Sequence, residues 1–148
     1  MAILKILQFF ALGLGVFYCG SGLKIQKATE QLIKSGVRGG QPQTEYIVSL
    51  KSKGKKAIEI KKIWIKKDGV YYTPKFNVMD AAVKKTMATV PANEVFTVVA
   101  RLRKMDKAMD LPSGFDGTMK IDYTLAEEAK SILVKKLTTL DAKKLRGR

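Results

Sequence analysis

Residues 51–67 hold eight lysines, Lys51, Lys53, Lys55, Lys56, Lys61, Lys62, Lys66 and Lys67, against a single acid, Glu59. Trp64 lies within the stretch, and Tyr71 and Tyr72 lie just beyond it. An ammonium group is a compact positive charge suited to phosphate or carboxylate oxygens, and an aromatic ring supplies flat area for stacking. The combination is therefore a candidate surface for an anionic ligand or an acidic partner. Its plain counterpart is a solvated sheet face, with lysines keeping an edge strand from pairing and with Trp64 and Tyr72 serving as core or interface residues. A second basic stretch, Lys130, Lys135, Lys136, Lys143, Lys144, Arg146 and Arg148, is opposed after Glu128 only by Asp141. It reads as a solvated tail, or as an end that meets an anionic membrane or an acidic groove.

What is missing bounds the chemistry more firmly. The 148 residues include no histidine, which removes the commonest general base and the commonest transition-metal ligand. The one cysteine, Cys19, allows neither an internal disulfide nor a Cys-rich metal site. Glu127 and Glu128 are adjacent, and neighbouring carboxylates on a strand or turn point apart. Asp106, Asp110 and Asp116 share a loop region, but their spacing is not that of a calcium-binding EF-hand. Residues 35–40 are glycine-rich without the Gly-Lys-Ser/Thr ending of a phosphate-binding loop. The expectation is a protein that is not an enzyme, with no catalytic residues, no metal and no cofactor. The formal net charge of +15 concerns partners rather than fold.

Residues 6–17 are apolar apart from Gln8, a length that fits the h-region of an export signal and falls short of a free-standing transmembrane helix. Cys19 follows, and then Gly20, Ser21 and Gly22. The segment resembles a bacterial lipoprotein signal, in which the cysteine becomes the first mature residue and is lipidated; Val16 occupies that family's apolar position three before the cysteine. Tyr18 stands where the family has Gly, Ala or Ser, so an uncleaved signal anchor is kept as the alternative. A third reading makes the segment a buried N-terminal helix with Cys19 as a small hydrophobe.

The elements that must position these groups follow from period. Ile25, Ala28, Leu32 and Ile33 fall at helical spacing, which predicts a short amphipathic helix over 24–35, followed by a linker through residue 43. From residue 44 the period becomes two. Tyr46, Val48 and Leu50 share one face, as do Phe96, Val98, Ala100 and Leu102, and Met119, Ile121, Tyr123 and Leu125. Ile58, Ile60, Ile63 and Ile65 keep one face only if a β-bulge falls at Lys61-Lys62. Asp68-Gly69 is a hairpin turn by type. Residues 80–87 read either as one helical turn or as an irregular crossing, and residues 138–148 as a polar helix or frayed tail.

The organisation expected is a signal peptide or anchor over 1–23, a helix and linker over 24–43, a β domain over 44–137 and a basic tail. The fold class is all-β: an antiparallel immunoglobulin-like sandwich or small barrel of six to seven strands, preceded by an N-terminal hydrophobic helix. Residues 44–137 are similar to small exported β-sandwich lipoproteins of Gram-negative bacteria, a resemblance that carries fold and no diagnostic motif.

The functional expectation is a membrane-tethered, non-catalytic binding or structural module. It would be exported and held at the periplasmic face of the inner or outer membrane, as an accessory subunit among other envelope proteins. One alternative is a binder of lipopolysaccharide or acidic polysaccharide through the lysine-rich edge. A second is a cytosolic nucleic-acid-binding domain, which fits the charge and conflicts with the exported N-terminus.

Overall fold

The computed structural model describes residues 22–36, 40–104, 106–111 and 114–144. They form ten strands: β1 Leu23–Lys34, β2 Gln43–Ser52, β3 Ile58–Lys67, β4 Val70–Tyr72, β5 Phe76–Asp80, β6 Val95–Arg103, β7 Ala108–Met109, β8 Met119–Leu125, β9 Glu128–Val134 and β10 Thr138–Lys144. Two five-stranded sheets result. Sheet A has the order β10-β1-β2-β6-β5, and sheet B has the order β7-β4-β3-β8-β9. Every pairing is antiparallel except β1 with β10.

The period-two apolar residues build the core between the sheets. Val48, Leu50, Phe96, Val98 and Ala100 from sheet A meet Ile58, Ile63, Ile65, Met119 and Ile121 from sheet B, all nearly or fully removed from water. Burying a side chain of this size stabilises by roughly 1.5–3 kcal/mol relative to leaving it exposed. The β3 bulge lies at Lys61, where the register with β8 jumps from Ile60 to Lys62. It keeps both isoleucine pairs inward.

The helix expected over 24–35 is instead strand β1. The register with β2 shifts between Ile25 and Lys27, so Gln26 is an extra residue. Ile25 then pairs with Leu50 and Ala28 with Val48, and both point inward three positions apart. A bulge in a strand thus reproduces the i, i+3 spacing of a helix. Ile33 is also buried, but it lies outside the core cluster. The stretch after β1 is consequently a hairpin connection rather than a linker, and the sandwich begins at Leu23, not at residue 44.

The expected polar helix or tail over 138–148 is corrected as far as Lys144; residues 145–148, with Arg146 and Arg148, lie outside the described residues. β10 lies parallel to β1, with Thr29 opposite Thr138 and Lys34 opposite Lys144. Two side chains reinforce the pairing. Thr139 Oγ1 donates to Glu30 Oε1 at 2.8 Å, and Gln31 Nε2 donates to the Asp141 carbonyl at 2.8 Å. All seven residues of β10 are exposed, so no apolar alternation marks it in the sequence. With these two and the two-residue β7 in the loop region before β8, the strands among the described residues number ten rather than six or seven. The chain leaves β9 in sheet B and enters β10 in sheet A within three residues, joining the two sheets along one side.

Residues 81–94 form an irregular crossing without a helix. The Asp80 carboxylate accepts from the backbone amides of Lys84 at 2.7 Å and Lys85 at 3.3 Å, which holds the first turn. Val90 exchanges two backbone hydrogen bonds with Ile58 of sheet B, at 2.8 and 2.9 Å. Ser52 is completely buried and satisfied, donating through Oγ to the Pro91 carbonyl at 3.0 Å and through its amide to the Glu94 carbonyl at 2.9 Å. The apolar N-terminal helix expected before residue 24, Cys19 included, falls outside the described residues but for Gly22 and Leu23. Among the described residues no helix is long and apolar enough to cross a membrane.

Candidate functional site

Strand pairing and alternation spread the lysine-rich stretch over several places. Lys51 is the next-to-last residue of β2, on the outer side of sheet A, and Lys53, Lys55 and Lys56 occupy the β2–β3 turn; all four are exposed. Lys61 is the bulge residue and pairs at 2.9 Å with Glu59, both side chains half exposed. Lys67 stands at the end of β3, beside the Asp68-Gly69 turn. Lys62, Trp64 and Lys66 share the outer face of sheet B with Tyr71. Tyr72 turns the other way: it is opposite Ile65 and packs against the core.

The outer face of sheet B is a row of alternating rings and cations. Trp64 is opposite Lys120 of β8, and Lys62 is opposite Asp122. The Lys62 ammonium lies 5.1 Å from the Trp64 ring centre, and that of Lys120 lies 5.6 Å from it. Lys120 is also 5.9 Å from the ring of Phe115, and Lys66 is 6.0 Å from Tyr71. The rings of Tyr71 and Phe115 meet at 5.1 Å with a tilt of 55°. Each cation–ring contact in such a setting contributes about 0.5–1 kcal/mol.

The residue that holds this row in place is Asp122. Its Oδ2 accepts the Trp64 indole N–H at 3.0 Å, its Oδ1 accepts the Ser131 hydroxyl at 2.6 Å, and Lys120 is 3.8 Å away. The indole is therefore fixed at its edge while the lysine stems cover its surface, and Trp64 is only 8% exposed. Three lysines face one carboxylate whose two oxygens are both engaged, which leaves the row positive. Phe115 is brought in by the loop before β8. Gly114 in that loop sits under the Tyr71 hydroxyl, where a Cβ would come within 2.8 Å.

Lys120, Asp122 and Phe115 were not among the residues singled out from sequence. The alternation of Met119, Ile121, Tyr123 and Leu125 does place Lys120 and Asp122 on the opposite face, but only the β3–β8 pairing brings that face to Trp64. Two hollows lie elsewhere. A cleft of about 290 Å³ at one end of the sandwich has walls of Leu32, Leu102 and Tyr72 and a mouth of Lys67, Asp68, Arg103 and Lys104. A broad concavity over the outer face of sheet A is floored by Ile47, Met79, Val83 and Val99. At its border Arg101 pairs with Glu45 at 2.9 Å.

The titration shifts lie away from the lysine row. Burial pushes the Tyr46 hydroxyl up to about 12, with Glu30 and Asp68 adding to the effect. Burial alone pushes Tyr123 up to about 12. Asp80 is lowered, chiefly by the Lys84 amide hydrogen bond. Among the described residues no three His, Cys, Asp or Glu side chains are grouped to hold a metal ion. Asp106 caps a turn instead, accepting from the Arg103 amide at 2.7 Å. Glu127 lies in the β8–β9 turn, and Glu128 opens β9, 3.9 Å from Lys130. Compared with known proteins, the chain matches no protein-family model, and no curated protein matches it either.

Proposed function

We propose that this protein is a membrane-tethered, non-catalytic binding module that serves as an accessory subunit of a cell-envelope protein assembly. The apolar run over 6–17 followed by Cys19 is the basis for export and attachment, whether as a lipidated cysteine or an uncleaved anchor. The strand orders support a more specific fold reading. β1-β2-β6-β5 facing β4-β3-β8-β9 is the A-B-E-D and C′-C-F-G arrangement of immunoglobulin-like sandwiches. That scaffold commonly presents sheet faces and edges to other proteins.

The observation that carries the reading is the row Lys62, Trp64, Lys120, Phe115, Tyr71 and Lys66 on the outer face of sheet B. Lysine charge is combined there with the part-exposed rings of Tyr71 and Phe115, carried on strands and on the loop before β8, which suits an acidic protein surface. The near-complete covering of Trp64 weighs against the sugar-stacking and base-stacking alternatives, which need an open ring face.

The test is co-purification of the full chain from membranes in mild detergent. Wild type should retain an envelope protein in fixed stoichiometry, and a Lys62→Glu, Lys66→Glu double variant should lose it. Acidic substitutions in that partner should be the ones that weaken the wild-type complex. Equal recovery by the variant would defeat the proposal.

A further inference from the structure

The point where the N-terminal segment joins the sandwich lies beside five exposed lysines. Leu23 of β1 is opposite Ser52 of β2, so the start of the first strand lies beside the β2–β3 turn. The Gly22 carbonyl accepts the Lys53 amide at 2.7 Å, which fixes the junction. Lys24 and Lys51 are exposed and stand directly opposite each other across the β1–β2 pair. Like charges so placed work against the pairing. Lys53, Lys55 and Lys56 follow in the exposed turn.

Carboxylates do occur at this end: Glu94 precedes β6, and Glu127 and Glu128 lie at the β8–β9 turn. None of them comes within ion-pair distance of the five lysines among the described residues; the one cation near Glu128 is Lys130. Lys61 and Lys120, by contrast, have Glu59 and Asp122 as partners. The five lysines thus carry a repulsion that the fold leaves uncompensated.

An N-terminal membrane tether would bring a counter-charge close to them. Gly22 lies five positions after Phe17, the last of the apolar run, a span of at most ~18 Å when fully extended. From Cys19 the span is at most ~11 Å. The attraction of an anionic bilayer surface reaches about 10 Å at ordinary ionic strength. A chain held at either position keeps these lysines within or close to that field.

We infer that this end of the sandwich is a lipid-facing surface, on which Lys24, Lys51, Lys53, Lys55 and Lys56 meet the headgroups of anionic phospholipids. The inference rests on the membrane-tether reading above and adds an orientation to it. The domain stands with its β2–β3 turn towards the bilayer, and the lysine and aromatic face of sheet B is left open to the side.

Amine-reactive footprinting of the full-length protein, on vesicles of phosphatidylcholine alone or mixed with phosphatidylglycerol, tests both levels. The five lysines should be protected severalfold on the mixed vesicles only, with the protection lost at high salt. Lys66, Lys67 and Lys75, towards the far end, should react equally on both. Equal labelling of the five on both vesicle types, with the protein bound, overturns the lipid-facing surface and leaves the tether standing. Binding to mixed but not to pure phosphatidylcholine vesicles overturns the tether, while protection confined to the five still supports the surface. A Lys53→Glu, Lys55→Glu, Lys56→Glu variant changes only exposed turn positions. It should lose protection at Lys24 and Lys51, and unchanged protection there overturns the inference as well.

Discussion

The indole nitrogen of Trp64 donates to the carboxylate of Asp122 at 3.0 Å, tying β3 to β8 across 58 positions of sequence. The same carboxylate receives Ser131 from β9, so one side chain spans three adjacent strands of sheet B. Replacing it leaves a covered indole N–H without an acceptor. Asp122→Ala should lower stability by about 1–3 kcal/mol. Trp64 is the chain's single tryptophan, so urea unfolding followed by its fluorescence reads this directly. An unchanged midpoint would mean that the contact holds nothing together.

Tyr123 presents the opposite case. Its hydroxyl is buried with no hydrogen-bond partner among the described residues, and the side chain is 1% exposed. Tyr123→Phe removes a desolvated polar atom and keeps the ring, so it should be neutral or stabilising by up to about 1 kcal/mol. Thermal unfolding at neutral pH checks the sign.

The two buried tyrosines also set an alkaline limit. Tyr46 and Tyr123 are raised from 10.0 to about 12 in the folded protein. Between those values the unfolded chain loses the protons and the folded chain keeps them, so unfolding gains as pH rises. The stabilisation is fully present below pH 10 and disappears through about 12. Denaturation midpoints should fall across that window, and the fall should be shallower in Tyr123→Phe.

The β8–β9 hairpin turns through Ala126 and Glu127, at φ of 51° and 69°. Both are left-handed positions, which a two-residue turn of this kind fills best with Asn and Gly. Ala126→Asn with Glu127→Gly should stabilise by about 1 kcal/mol, measured by chemical denaturation. The Asp68-Gly69 turn has the same geometry and already has suitable residues, with φ of 53° and 76°.

Gly117 marks the entry to β8, with φ of 122° and with space for a Cβ only 3.0 Å from the Val134 carbonyl oxygen. Backbone cannot yield as a side-chain tip does. Gly117→Ala should cost about 1–3 kcal/mol. It should also disturb the approach of Phe115 to Lys120, visible as a change in Trp64 emission.

Much of sheet A and sheet B could be read from period alone, because β2, β3, β6 and β8 each bury one face and expose the other. The hairpin at Asp68-Gly69 and the bulge at Lys61 followed from residue type and phase. β1 escaped because Gln26 interrupts its alternation and gives Ile25 and Ala28 a helical spacing. β10 escaped for a different reason: it contributes backbone hydrogen bonds and no buried side chain, and composition records burial far better than it records pairing. For the candidate site, Lys62, Trp64, Lys66 and Tyr71 were visible as a basic and aromatic stretch. Phe115, Lys120 and Asp122 were not, since their approach depends on which strand pairs with β3.

The parallel pairing of β1 with β10 has a mechanical consequence. A force drawing Leu23 one way and Lys144 the other acts along both strands, so the bonds between them are loaded together in shear. They would have to rupture in concert rather than open one by one like a zipper. Resistance to a pull between those two ends would come from the strand that its sequence disguises best.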